Sequence, residues 1–378
     1  MIPYGRQSIS EDDIAAVEAV LRSDFLTQGP AVPAFEQAVA GYCGVPHAVA
    51  VCNATAALHL ACAALGLGPG DRVWTSPNTF VASANCARYC GADVDFVDID
   101  PRTYNLSVTA LEAKLAQAEK AGALPKIVIP VHFAGQSCEM KQIWALSKRY
   151  GFAVIEDASH AIGADYDGAK VGNGRYSHAT VFSFHPVKII TTGEGGMVLT
   201  RDSALHEKLS RLRSHGITRD PSRMQGEPEG PWYYQQIELG WNFRLTDIQA
   251  ALGASQMQRL DAFVDKRRAR VRRYNEQLKN LAAVLPAQSP AGDPSWHLYV
   301  VQVENRRKVF DALRTAGIGV NVHYIPVHLQ PYYRALGFKP GDFPEAERYY
   351  SRAISLPLYA DLSDSQQDTV VAALARAL

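Results

Sequence analysis

Short apolar runs alternate with stretches of helical spacing over the first half of the chain. Ala48–Cys52, Arg72–Thr75, Val94–Val97, Lys126–Val131 and Phe152–Ile155 read as strands. Between them, Ala56–Leu65, Ala82–Cys90 and Met140–Tyr150 repeat apolar residues at helical spacing. Each stops at a glycine, Gly66, Gly91 or Gly151, where a helix C-cap favours one. Ahead of this array, Ser10 can cap a helix running to about Arg22, with Asp12 and Asp13 in its first turn. Strands alternating with helices predict an α/β fold around a mostly parallel sheet.

From Ala179 the rhythm changes. Thr180–Phe184 and Gly196–Thr200 read as two strands joined by a segment containing Pro186, Gly193 and Gly195. The polar stretch Thr218–Gly230 reads as a structureless insert, of the kind that is functional, disordered or held by a partner. A long helical pattern from about Thr246 to Leu281 follows and is expected to bridge to a smaller C-terminal α/β domain. The expected division is a large domain over residues 1–250 and a small one over 251–378.

Composition narrows the classes. Of 378 residues, 47% are hydrophobic and 20% charged, as in ordinary folded proteins, which excludes disordered and collagen-like chains. Lysine plus arginine and aspartate plus glutamate are equal at 38, so global charge gives no attraction to nucleic acid or acidic membranes. Six cysteines, Cys43, Cys52, Cys62, Cys86, Cys90 and Cys138, show no paired spacing, and most read as small buried apolar residues. No long apolar run marks a secretion signal or a membrane span, so a cytoplasmic location is the expectation.

Three local sites carry chemistry. At Cys52–Ala57 a strand turns sharply into a helix; Thr55 can cap it, and the free amides of the first turn suit a phosphate. An ordinary helix cap would explain the same residues. The apolar strand Ala153–Ile155 runs into Glu156 and Asp157, at the end where ligands meet parallel sheets, although acids there are also common turn residues. In Ser183–Lys188 and Thr191–Gly196, a lysine in a rigid, glycine-flanked connection can form a Schiff base with a carbonyl. Most lysines are solvated surface cations, so order and company decide the reading.

A phosphate turn, then Phe80, then Asp157, then Ser183 with Lys188 resembles the order of cofactor contacts in fold-type I pyridoxal-phosphate enzymes. More narrowly, the chain resembles the sugar aminotransferases of the DegT/DnrJ/EryC1/StrS family from Ile2 almost to its end. The resemblance is carried by Leu26–Pro30, Asn53–Leu58, Glu156–His160, Phe182–His185, Glu194–Gly196 and Trp241–Leu245. It implies a large domain with a mostly parallel sheet and a smaller C-terminal domain. It implies that Lys188 carries pyridoxal 5'-phosphate and moves the proton, that Asp157 faces the pyridine nitrogen, that Phe80 stacks on the ring and that His160 lies close to it. The Thr55 and Ala56 amides with Ser183 would hold the phosphate, joined by Asn242 from a neighbouring subunit, so that a homodimer shares its active sites. Ala56 stands where relatives often carry a serine, which removes one side-chain contact.

Within the family the nearest resemblance is to the pseudaminic acid branch, carried by Ile2–Gln7, Asp24–Gly29, Arg213–Gly216 and Val320–Pro326. It implies a UDP-linked 4-keto-6-deoxy-N-acetylhexosamine as acceptor and L-glutamate as donor. Contacts to the nucleotide-sugar would come from Tyr4, Asp24, Phe25, Leu26, Thr27, Ser183, Asn242, Asn321, Val322, His323 and Tyr324. A different 4-keto nucleotide-sugar such as the bacillosamine precursor, or a regulator that binds the cofactor without catalysis, stays open. A nicotinamide-dependent oxidoreductase is disfavoured because Asn53–Ala57 contains no glycine.

Overall fold

The computed structural model describes residues 1–378. Its first helix, α1 (Glu11–Leu21), starts as the sequence predicts: the Ser10 hydroxyl accepts from the Asp13 amide while the Asp13 carboxylate accepts from the Ser10 amide. A second helix, α2 (Ala31–Cys43), begins at Pro30 without a side-chain cap and ends on Gly44 at φ 69°.

Seven strands form the central sheet: β1 (His47–Val51), β2 (Arg72–Thr75), β3 (Asp93–Phe96), β4 (Ile127–Ile129), β5 (Ala153–Asp157), β6 (Ala179–Ser183) and β7 (Gly196–Thr200). Their order is β1-β7-β6-β5-β4-β2-β3, and β7 alone runs against its neighbours. Helices α3 (Ala54–Ala64), α4 (Ala82–Tyr89), α5 (Val108–Lys120), α6 (Met140–Tyr150) and α7 (Ser203–Leu212) connect or flank them. Alternation along the strands splits the core in two. Val154, Phe182, Met197 and Leu199 join the core with α2, α5 and α6, while Ile155, Val181 and Val198 join the one with α3, α4 and α7. Both faces of the sheet are therefore covered.

Two expectations are corrected here. The long pattern from Thr246 is two helices, α8 (Asp247–Met257) and α9 (Leu260–Leu278), because the backbone leaves the helix at Arg259, whose guanidinium pairs with the buried Asp13 carboxylate of α1. The polar insert is not structureless: Ile217–Thr218 pairs antiparallel with Gln235–Gln236, with a single helical turn at Pro221–Arg223 between them.

The C-terminal sheet is β8 (Ala283–Val284), β9 (Tyr299–Val303) and β10 (Ala353–Leu356), antiparallel with β9 in the middle. It packs with α9, α10 (Arg306–Thr315) and the final helix, Asp364–Ala377, in a third core. The N-terminal segment is tied to this part: Ile2 exchanges backbone hydrogen bonds with Gly317 and Gly319, and the Tyr4 carbonyl accepts from the Leu358 amide at 3.0 Å. That tie brings Tyr4 over the carboxyl ends of the central strands. No helix is long and apolar enough to cross a membrane.

Candidate active site

At the end of β1 the chain stays extended through Asn53 and then enters α3. The side chain that caps α3 is Asn53, whose Oδ1 accepts from the Ala56 amide at 2.9 Å, and not Thr55 as expected. A cap has to be the extended residue before the helix, and Thr55 already lies inside it. The Ala56 amide is thus engaged within the chain. Thr55 lines the cavity, and neither its amide nor its hydroxyl makes a hydrogen bond within the chain. Gly196, first residue of β7, runs against this turn: a Cβ there would lie 2.5 Å from the Asn53 carbonyl carbon and 2.6 Å from the Ala54 nitrogen. Only glycine lets the strand pass so close.

At the end of β5 the two acids point to opposite faces. Glu156 is buried beneath the sheet, bonded to His132 Nε2 at 2.7 Å and to the Ser177 and Thr180 hydroxyls. Burial alone would raise its pKa, but these donors hold it below the ordinary value. Asp157 faces the cavity. Its Oδ2 accepts from Ser83 Oγ at 2.6 Å, and its Oδ1 accepts from Ser159 Oγ at 2.6 Å and from the Ser159 amide at 3.1 Å. Ser83 is fixed in turn by Thr79 at 2.7 Å.

The connection from β6 to β7 closes on itself. The Phe184 carbonyl accepts from the Thr192 amide and the Thr191 hydroxyl, and the Phe184 amide donates to the Gly195 carbonyl. Lys188 is carried on this braced loop, enclosed by protein, and what surface it keeps opens on the cavity. Enclosure pushes its amine down to about 8, against the pull of Asp157 towards the charged form. Ser183 faces the same space with its hydroxyl unused by the chain.

The opposite wall comes from the C-terminal part. His323 hydrogen-bonds Ser355 Oγ through Nδ1 at 2.7 Å and Asn321 through Nε2 at 3.4 Å. Burial, then the Lys188 charge, push its pKa down to about 3. His160 Nδ1 accepts from the Ala134 amide at 3.3 Å, which leaves its proton on Nε2, 3.1 Å from the Tyr324 hydroxyl. Burial and the same lysine hold His160 well below its ordinary pKa, so it is neutral. Phe80 stands at the mouth, 58% exposed, its ring 6.3 Å from that of Tyr324. The enclosed space is about 630 Å³.

Of the residues singled out from sequence, Tyr4, Thr55, Phe80, Asp157, His160, Ser183, Lys188, Asn321, Val322, His323 and Tyr324 line this one cavity. The others do not. Ala56 is buried behind the turn. Asp24, Phe25, Leu26 and Thr27 form an exposed loop held to the start of α8, the Leu26 carbonyl accepting from the Asp247 amide and Thr27 bridging to Thr246. Asn242 pairs with Ser214 outside the cavity of its own chain. Sequence reasoning missed Asn53, Ser83, Ser159 and His297. Ser159 had a local signal, a hydroxyl two residues after a strand-end acid; Ser83 and His297 had none.

A lysine amine poised to meet an aldehyde, a buried carboxylate fixed by hydroxyls, and an unused amide and hydroxyl at a helix N-terminus together fit pyridoxal 5'-phosphate. On this α/β fold they define a fold-type I pyridoxal-phosphate transferase. The chain belongs to the DegT/DnrJ/EryC1/StrS aminotransferase family, whose profile matches residues 7–375. It is a sugar aminotransferase that depends on pyridoxal phosphate. It is 40% identical to the spore coat polysaccharide biosynthesis protein SpsC of Bacillus subtilis, over 99% of this chain and 96% of the relative. It is equally close to an uncharacterised protein of Methanocaldococcus jannaschii, with the same coverage. Among solved structures it matches Helicobacter pylori PseC, an aminotransferase of pseudaminic acid biosynthesis, with TM-score 0.91 and 31% identity over 100% of this chain and 98% of the other. It also matches a putative sugar aminotransferase of Streptococcus pneumoniae in its pyridoxamine form, with TM-score 0.90 and 30% identity over 100% and 99%.

Proposed function

We propose that this protein transfers the amino group of L-glutamate to C4 of a UDP-linked 2-acetamido-2,6-dideoxy-4-keto-hexose. The product would be the β-L-altrosamine derivative on the way to pseudaminic acid. The observation that carries the aminotransferase reading is the meeting of Lys188, the serine-bound Asp157 and the open Thr55 turn in one cavity. The likeness to PseC, with the Ile2–Gln7 and Val320–Pro326 segments, supports the particular sugar.

Bound pyridoxal phosphate supplies an aldehyde to take the amino group and a ring to withdraw electrons from the reacting carbon. The chain supplies the rest. Thr55 and Ser183 would hold the phosphate, with Asn242 arriving from a second subunit. Asp157 would keep a proton on the pyridine nitrogen, and Phe80 would cover the ring. With a pKa near 8, the Lys188 amine is uncharged in about a tenth of molecules at pH 7, enough for Nζ to take the proton from the donor's α-carbon and pass it to the cofactor carbon that would receive the amino group. Tyr4 and the Asn321–Tyr324 segment would orient the sugar so that its ketone meets the amino group carried by the cofactor, with C4 within reach of Lys188 Nζ.

The 40% identity to SpsC, against 31% to PseC, favours a second reading in which another 4-keto sugar is the acceptor. Holoenzyme mixed with L-glutamate and either the β-L-arabino or the D-xylo 4-keto sugar decides between them, with the product solved by NMR. The β-L-arabino sugar should react at least roughly 10²-fold faster, since about 1 Å of misplacement costs that much. Equal or faster turnover of the D-xylo sugar would move the enzyme to the bacillosamine branch.

A further inference from the structure

Four histidines line the cavity, and the three buried ones are not alike. His160 and His323 each have partners for both ring nitrogens. His297 has none. It is 4% exposed, its ring centroid lies 4.4 Å from that of His160, its Nδ1 is enclosed without a partner, and its ring lines the cavity. Nδ1 is shut off from the cavity, so an arriving group meets Nε2, which also has no partner in the chain. Polar groups inside folded proteins are almost always paired, and a ring nitrogen left open towards a cavity points to a group that arrives there.

The charges around it define that group. Arg267, on α9, is buried and donates to the carbonyls of Trp296, His297 and Leu358, with no carboxylate in contact. The second neighbouring cation is Lys188. Burial, then Lys188, His160 and Arg267, hold the His297 pKa well below its ordinary value, so the ring stays neutral. Arg267, a buried cation with no carboxylate partner, calls for a counter-ion, and the acid of the cavity, Asp157, faces Lys188 and is held there by Ser83 and Ser159. The open wall therefore suits an anion.

We infer that His297 donates its Nε2–H to the α-carboxylate of the amino-acid donor and so positions that donor for Lys188. Covalent distance selects this anion over the others. The α-carboxylate is bonded to the carbon whose proton Nζ removes, so it must lie as deep as Lys188. The diphosphate of a nucleotide-sugar is separated from C4 by the sugar ring and belongs nearer the mouth. The inference rests on the donor being an α-amino acid.

Single-turnover kinetics on the holoenzyme separate the two half-reactions. For His297→Ala, the L-glutamate concentration giving half the maximal rate should rise roughly tenfold or more, the effect of losing one hydrogen bond to a charged group. The half-reaction with the amino sugar should change less than about twofold, and His297→Asn, which keeps an N–H donor, should recover part of the loss. Equal losses in both half-reactions would mark a merely structural role and overturn the inference, as would an unchanged glutamate dependence. A shifted absorption band of the bound cofactor with normal glutamate dependence would place His297 against the cofactor and also overturn it. Wild-type protein that takes nitrogen from no α-amino acid would overturn the donor reading itself, a result visible before any variant is made.

Discussion

Asp157 accepts hydrogen bonds at both carboxylate oxygens, so its position and its charge can be tested apart. Asp157→Asn keeps the shape, removes the charge and turns an amide towards one serine hydroxyl. Turnover should fall by on the order of 10²-fold or more, as for other preorganised electrostatic contacts. Ser83→Ala keeps the charge and loosens one oxygen, and steady-state rates should fall by only about tenfold. Lys188 offers a test without substrate. Its folded amine titrates near 8 against an ordinary 10.5, so between these values the folded state binds fewer protons than the unfolded one. The penalty of enclosing a charged amine is thus fully present below about pH 8, and the cofactor-free chain gains stability from this group as pH rises to 10.5. Lys188→Met should remove that gain: its stability advantage over wild type in urea unfolding should be larger at pH 7 than at pH 10 by about 2 kcal/mol. Both residues were legible in the sequence because each closes a local pattern, an apolar strand ending in acid and a lysine among glycines. Ser83 was not, since it meets Asp157 from 74 positions away and nothing around it differs from an ordinary helix start.

The elements were legible where their ends carry chemistry. Gly91 and Gly151 mark real helix ends with φ of 75° and 78°, and Ser10 marks a real start. α2 passed unnoticed because Pro30 gives it no polar cap. The break before α9 is equally silent, since helix-forming residues run straight through it and the partner of Arg259 there, Asp13, stands 246 positions away in the sequence. The cap of α3 fell two residues early because Asn53 and Thr55 are both good caps and sequence does not say where β1 stops. Gly196 is the element-scale weak point. In Gly196→Ala the new methyl would meet backbone at 2.5 to 2.6 Å, which cannot rotate away. Urea midpoints should report a loss of about 1–3 kcal/mol, and cofactor affinity should fall with it, because β7 and the Thr55 turn would be forced apart.

At the scale of the molecule, the two segments that the cavity of their own chain does not use both carry exposed apolar side chains. Phe25 and Leu26 are 53% and 49% exposed, and Trp232 and Leu239 on the paired arm reach 70% and 80%. If a second copy covers them and brings Asn242 to the phosphate, two crippled proteins should complement each other. Lys188→Ala and Asn242→Ala, each first shown to be impaired, should recover activity when mixed, because hybrid dimers hold one intact site. Subunit exchange without recovery, or a monomeric active species, would remove the shared site. The position of β7 has a different consequence, for how the chain is made. His47 lies opposite Thr200 and Val51 opposite Gly196, so β1 leaves the ribosome long before the strand that pairs with it. Until then Ala48–Val51 presents an apolar edge open to any other strand, the kind of edge that recruits a second nascent chain. The last strand of the sheet to be synthesised both closes that edge and completes the cofactor's seat, so a chain stalled after Ser183 would be unable to hold pyridoxal phosphate and ready to aggregate.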